Sequence, residues 1–307
     1  MSKKLLLMDG SMSCQLYLFG YNTNEHKPHW TFAANNDLDL MEKVYQSFLS
    51  LNVDIITTNT YHFGSTMNRN MSETSNQNKI NITQFINTCN QLDFLVKKSN
   101  RTNCQVWGSV GTFATFYHDM SEYNGKYMDY LNSDKKAEEY YREILNIFMN
   151  KTKIHSLIFE TISSEAEAQS AVKVLQEFPH LNAVMSFTFN KNARLRHGEN
   201  IDKIAEQLSK ISQIDGFGIN CTDPENVLPV LVKLEKYNFR QIIVCPNSGD
   251  STFLSVDCND KKCCFSKELV LNWAIHGATA IGGCCGVDIE QFQELKNVLT
   301  EINVMSS

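Results

Sequence analysis

Short apolar or β-branched runs, each closing on a polar or glycine-rich corner, recur along the chain at Leu5–Gly10, Val53–Tyr61, Cys104–Gly111, Ser156–Ile162, Asn182–Asn190, Gly216–Cys221, Gln241–Ser248 and Ala278–Cys285. Between them lie longer stretches with apolar residues at helical spacing: Leu38–Leu51, Glu138–Lys151, Ser164–Phe178, Ile201–Ile211, Asn226–Tyr237 and Ser266–His276. The first pattern predicts strands and the second amphipathic helices. Strand–helix alternation predicts a parallel sheet, and eight such units on 307 residues fit an α/β fold that closes as a single (β/α)8 TIM barrel spanning 1–307. An open doubly wound sheet is the rival. It normally carries G-x-G-x-x-G after its first strand, and MDGSMSCQL lacks that fingerprint. The polar, Asn- and Ser-rich stretch Asn68–Asn81 predicts a surface loop.

Composition narrows the function. Hydrophobic residues at 42% describe a globular chain, and no segment is apolar for long enough to span a bilayer. The apolar run in MSKKLLLMDG ends too soon for a signal-peptide core. A formal charge of -6 without a dense basic block offers no face for nucleic acid or acidic lipid, which leaves small molecules as partners. Ten cysteines in such a chain read as reduced thiols in a cytoplasmic setting. Cys14, Cys89, Cys104 and Cys245 read as small apolar packing residues.

In a barrel of this kind the carboxyl ends of the strands share one rim, where sites assemble. Those ends carry Asp9, the TTNTY run at Thr57–Tyr61, GSVG at Gly108–Gly111, Glu160, Asn220-Cys221, Asn247-Ser248 and Cys284-Cys285. Neighbouring side chains on a strand point to opposite faces, so Cys284 and Cys285 can grip one ion only where the strand has ended and Gly282, Gly283 and Gly286 let the backbone turn. With Cys221 they make a three-thiolate set that suits Zn2+ and leaves its fourth tetrahedral position open. The competing reading is a tight turn with two packed thiols. Cys258, Cys263 and Cys264 form a second cluster, but in a charged stretch without a strand or glycine corner, which favours a solvated loop. None of the eight histidines has ligand spacing. Glu160 is placed to bind an ammonium group or else to cap a helix or pair with a lysine; Asp9 starts a turn or reaches substrate; Thr58 and Tyr61 pack or line the substrate shell. Tyr117 and Tyr123, in the loop after GSVG, either line a pocket for a cation or, as loop aromatics usually do, serve as cover.

The chain resembles the zinc-dependent homocysteine S-methyltransferase family nearly end to end. The motifs are MDG at Met8–Gly10, DIITTNTY at Asp54–Tyr61, GSVG, FET at Phe159–Thr161, GINC at Gly218–Cys221, PNSG at Pro246–Gly249 and GGCCG at Gly282–Gly286. The resemblance implies Cys221, Cys284 and Cys285 as zinc ligands, Asp9 and Glu160 on the substrate's ammonium group, and Thr58, Tyr61 and Asn220 around the substrate. It implies methyl transfer from S-methylmethionine, or less efficiently S-adenosylmethionine, to homocysteine, giving methionine, by a monomer or small homo-oligomer. A betaine user of the same family and a non-catalytic thiol redox barrel are the alternatives. The chain departs from the family pattern at Ser11, usually glycine; at Thr112, usually proline; and at Asp250, usually glutamate.

Overall fold

The structure, a computed structural model, describes residues 4–67, 75–99, 101, 103–130, 132–248 and 265–305. Eight strands run in parallel: β1 (Leu6–Leu7), β2 (Ile55–Thr57), β3 (Gln105–Gly111), β4 (Ser156–Ile162), β5 (Asn182–Phe187), β6 (Ile214–Asn220), β7 (Gln241–Cys245) and β8 (Ala280–Ile281). Each pairs with its sequence neighbours, and β8 pairs with β1. The ring closes between β1 and β2 by a parallel bridge from Met8 to Ile55, with the Asp54 N–H donating to the Leu7 carbonyl at 2.7 Å and the Asp9 N–H to the Ile55 carbonyl at 3.0 Å. This is the expected TIM barrel.

Why each segment adopts its element follows from its pattern. Strand interiors such as IIT and QIIVC are β-branched and buried on both faces, as a helix-covered parallel sheet demands. Met8, Ile55, Trp107, Ile158, Val184, Ile243, Cys245 and Ala280 form an inner cluster of their own, while a larger one lies between sheet and helices. The helices are α1 (Met12–Leu18), α2 (Leu38–Ser50), α3 (Ser75–Lys98), α4 (Ser133–Lys151), α5 (Glu165–Leu175), α6 (Ile201–Leu208), α7 (Pro224–Leu234), α8 (Lys267–Ile275) and α9 (Ile289–Met305). Side-chain oxygens of Asp37, Ser164 and Ser266 cap α2, α5 and α8 by accepting a backbone N–H from the first turn.

Two features differ from the sequence reading. Residues 75–81 open α3, so the predicted loop at Asn68–Asn81 survives at most over 68–74, which lie outside the described residues. Helices α1, α3 and α9 were not predicted, although Phe85, Cys89, Leu92 and Val96 in α3 and Phe292, Leu295, Leu299 and Ile302 in α9 recur at helical spacing and are buried. Asp250, Cys258, Cys263 and Cys264 lie outside the described residues. Among the described residues no helix is long and apolar enough to cross a membrane.

Candidate active site

At the carboxyl rim, the corner after β6 and the corner after β8 bring three thiols together. Cys221 Sγ lies 2.8 Å from Cys284 Sγ and 3.8 Å from Cys285 Sγ, and the latter two are 4.0 Å apart. Cys221 takes a left-handed backbone (φ 48°), and its carbonyl is held by the Thr188 hydroxyl at 2.8 Å and the Arg196 guanidinium at 3.3 Å. The β8 corner is fixed from the side of β7: the Cys284 N–H donates to the Pro246 carbonyl at 2.8 Å, and the Ser248 N–H donates to the Cys285 carbonyl at 3.0 Å. Gly282 is obligatory because any Cβ there would collide with the Asp9 carbonyl, and Gly286 turns the chain at φ 78°. Adjacent thiols therefore share one side because the strand stops at Ile281. Hydrogen bonds from Cys221 and Cys284 hold the Cys285 thiol well below the ordinary thiol range.

The chemistry of this donor set suits a borderline-soft cation. Sulfurs around a tetrahedral ion with bonds of about 2.3 Å stand roughly 3.8 Å apart, which two of the three separations match. The third, at 2.8 Å, is closer than ligand spacing yet longer than a sulfur–sulfur bond.

Beside the thiols lies a cavity of about 220 Å³ whose lining includes Asp9, Ser11, Thr58, Tyr61, His62, Ser109, Glu122, Tyr123, Glu160 and all three cysteines. Asp9 Oδ2 accepts the Thr57 N–H at 2.7 Å and the Thr57 hydroxyl at 2.8 Å. The Ser109 hydroxyl donates to Glu160. Burial nonetheless pushes both carboxyl groups up to about 7, because these donors offset only part of the desolvation. No lysine or arginine lines the cavity among the described residues, so its field favours a cation.

Other predicted residues have different tasks. The Thr58 hydroxyl is shared with the Thr60 hydroxyl at 2.6 Å and accepts the Ser109 N–H at 3.0 Å, tying the β2 corner to β3. Tyr61 faces the cavity and bonds to Thr161. Asn220 does not line the cavity: its amide is taken up by Thr161 and Ser186. Tyr117 packs among Phe113, Phe116, Tyr127 and Tyr130 instead of facing the cavity, whereas Tyr123 does line it. Cys89 is buried in the core as read; Cys14 and Cys245 also line the cavity. Sequence reasoning missed Ser109, Glu122 and His62. Ser109 sits inside the quoted GSVG, but nothing in a strand serine reveals its partner. Burial lowers His62 to about 4, so this imidazole is neutral, with Nδ1 at 2.9 Å from the Thr31 hydroxyl.

The departures at Ser11 and Thr112 have local explanations. Ser11 caps α1 by accepting the Cys14 N–H at 3.3 Å in an ordinary extended backbone, so glycine is not required there. The Thr112 hydroxyl donates at 2.7 Å to buried Glu167, which also accepts from the Phe113 N–H and from the Tyr127 and Tyr141 hydroxyls.

Comparison with known proteins agrees with this geometry. A homocysteine S-methyltransferase YbgG of Bacillus subtilis is 27% identical over 303 residues, covering 95% of this chain and 93% of that protein. Homocysteine S-methyltransferase 1 of Arabidopsis thaliana is 26% identical over 91% of this chain and 88% of its own. The metallated form of the homocysteine methyltransferase MmuM from Escherichia coli superposes with a TM-score of 0.79 over 96% of both chains at 22% identity, a likeness that establishes the fold. The sequence model described as Homocysteine S-methyltransferase matches residues 6–299; since it takes in every strand of the barrel and both thiol corners, the chain belongs to the homocysteine S-methyltransferase family and is a methyltransferase enzyme.

Proposed function

We propose that this enzyme transfers a methyl group from a sulfonium donor to the sulfur of homocysteine, with Zn2+ held by Cys221, Cys284 and Cys285. The observation that carries the reading is the convergence of three thiols beside a cavity that holds Asp9 and Glu160 and, among the described residues, no lysine or arginine. A zinc ion on that donor set would supply the loss of the substrate thiol's proton at neutral pH, where a free thiol with pKa about 8.5 stays mostly protonated. The remaining work belongs to the protein. Asp9 and Glu160, ionised, hold the homocysteine ammonium group and so fix where its sulfur lies. The sulfur attacks the methyl carbon, a carbon–sulfur bond forms, and the bond to the donor sulfur breaks with its electron pair staying on that sulfur. The leaving group is a neutral thioether, so no general acid is needed, and alignment of the three atoms is the main contribution to rate.

A betaine donor fits the cavity less well. Betaine carries no net charge, and the lining gives its carboxylate no cationic partner among the described residues. A redox barrel would have no use for two carboxyl groups buried beside its thiols.

The test is to measure zinc content and methionine formation together, for the parent and for Cys285→Ser, with homocysteine and S-methylmethionine, S-adenosylmethionine or betaine. About one zinc per chain and methionine made by the parent from a sulfonium, but not by the variant, is the expected result. Methionine from betaine alone overturns the donor assignment, and full activity in Cys285→Ser overturns the metal site.

A further inference from the structure

Resting on the sulfonium-donor reading, we infer that Glu122 is the residue that recognises the donor, binding the α-ammonium group of a sulfonium amino acid. Glu122 lies in the tight turn Ser121–Tyr123, between two left-handed residues, Met120 (φ 60°) and Gly125 (φ 71°), and the Gly125 N–H closes that turn on the Ser121 carbonyl at 2.7 Å. Left-handed backbone costs a non-glycine residue such as Met120 about 1–3 kcal/mol and concentrates where a side chain must be aimed. The turn delivers a glutamate that is only 9% exposed and lines the cavity.

That carboxyl group has no ion-pair partner among the described residues. Its own backbone N–H donates to it, and the neighbouring charges of Asp119, Cys285 and Glu167 are negative. A buried carboxylate in such surroundings is costly unless something positive joins it. No packing, capping or strand-tying task is visible for it, in contrast to Glu167, which is saturated with donors.

The reaction brings together two amino acids and hence two ammonium groups. Asp9 and Glu160 lie at the ends of β1 and β4 and act on each other, forming one acidic site. Glu122 comes from the loop after β3 and shares the one cavity with Glu160, both carboxyl groups acting on Tyr61 and on the Cys285 sulfur. Transfer between two sulfurs needs the order acceptor ammonium, sulfur, methyl, donor sulfur, donor ammonium, and two carboxyl sites from different elements of one cavity can serve its two ends.

Which positive centre Glu122 meets is decided by energetics. The sulfonium charge is dispersed in the transition state and gone in the thioether product, so a carboxylate against it would stabilise the ground state more than the transition state and slow transfer. The ammonium charge persists throughout. A carboxylate there strengthens binding without a penalty on the chemical step, while the aromatic faces of Tyr61 and Tyr123 suffice for the sulfonium.

The test compares the parent, Glu122→Gln and Glu122→Asp with S-methylmethionine and with dimethylsulfoniopropionate, a sulfonium acid that lacks the α-ammonium group. The parent should prefer S-methylmethionine by about ten- to a hundredfold in kcat/KM, the worth of a charged hydrogen bond. In Glu122→Gln that preference should collapse through a higher donor KM, with kcat and homocysteine KM within about twofold, zinc content unchanged, and a melting temperature equal to or above the parent's, since an unpaired buried charge has been removed. Glu122→Asp, should the amide fold poorly, must weaken S-methylmethionine selectively. An unchanged preference in an active enzyme, or an equal loss for both donors, overturns the role of Glu122 alone. A parent that makes no methionine from either sulfonium overturns the donor reading and this inference together.

Discussion

The side-chain amide of Asn220 holds Thr161 at two points: its Oδ1 accepts the Thr161 N–H at 3.0 Å, and its Nδ2 donates to the Thr161 hydroxyl at 2.8 Å. Thr161 needs holding, because a β-branched residue at φ 62° is strained, and the register of β4 against β5 shifts between Phe159 and Ile162. The kink directs Glu160 into the cavity, while Asn220 immediately precedes Cys221. One amide thus couples the aim of the acidic site to that of the thiol site.

Asn220→Ala should therefore cost about 2–4 kcal/mol, from three lost buried hydrogen bonds and the partners they leave unsatisfied, with strain released at Thr161 offsetting part of it, and should raise the homocysteine KM. Thr161→Gly, which removes the strain at its source, should cost less in the Asn220→Ala background than in the parent. Urea unfolding of the four proteins reads the coupling; strict additivity would show that the amide does not act through Thr161.

Thr112 carries a second prediction. Its hydroxyl is one of the donors that keep Glu167 satisfied under the loop that presents Glu122. Thr112→Val preserves shape and removes that donor, so it should destabilise the fold by about 1–3 kcal/mol and leave zinc content unchanged. A variant as stable as the parent in urea would show that the remaining donors suffice.

The pH dependence has a definite sign. Asp9 and Glu160 ionise near 7 in the folded chain, against ordinary values of 3.8 and 4.5. Between about pH 4 and 7 the folded state binds more protons than the unfolded one, so the metal-free protein loses stability as pH rises through that window and levels off above it. Binding an ammonium group requires the ionised carboxyls, so homocysteine KM should fall from pH 6 to pH 8. Glu160→Gln should flatten both trends. A melting temperature that climbs more steeply from pH 5 to 7 in the parent than in the variant would contradict the assignment.

The barrel was legible because its strands are apolar runs with polar ends, and IFET or GINC announce a rim residue directly. The thiol site was legible for the same reason: adjacent cysteines after two glycines fit only a strand end. What escaped was anything set by pairing across the ring. The sequence offers no sign that Asn220 reaches Thr161, 59 residues away, or that Ser109 meets Glu160. Glu122 sits in a polar loop, where a glutamate normally faces solvent, and only the packed turn shows it buried. Tyr117 and Tyr123 could not be told apart: both are loop aromatics, and only the packing of Phe113 and Tyr130 around Tyr117 shows that it is cover while Tyr123 lines the cavity.

The last prediction concerns the thiols without metal. Cys221 and Cys284 approach to 2.8 Å, while Cys284 and Cys285 stand 4.0 Å apart on neighbouring residues whose link would close a strained ring. Stripping metal with a chelator and adding a mild oxidant should therefore join Cys221 to Cys284, a link that closes a loop of 63 residues and so resists unfolding by about 3–5 kcal/mol in the chain-entropy account. Peptide mapping should find that crosslink with Cys285 still open to alkylation, and methyl transfer should stop until reductant and zinc are restored. Bound zinc should block the reaction, because sulfurs sharing one ion are held near 3.8 Å and are no longer free to bond. Formation of a Cys284–Cys285 link, or equally fast oxidation with zinc present, would show that the three sulfurs do not share a single ion.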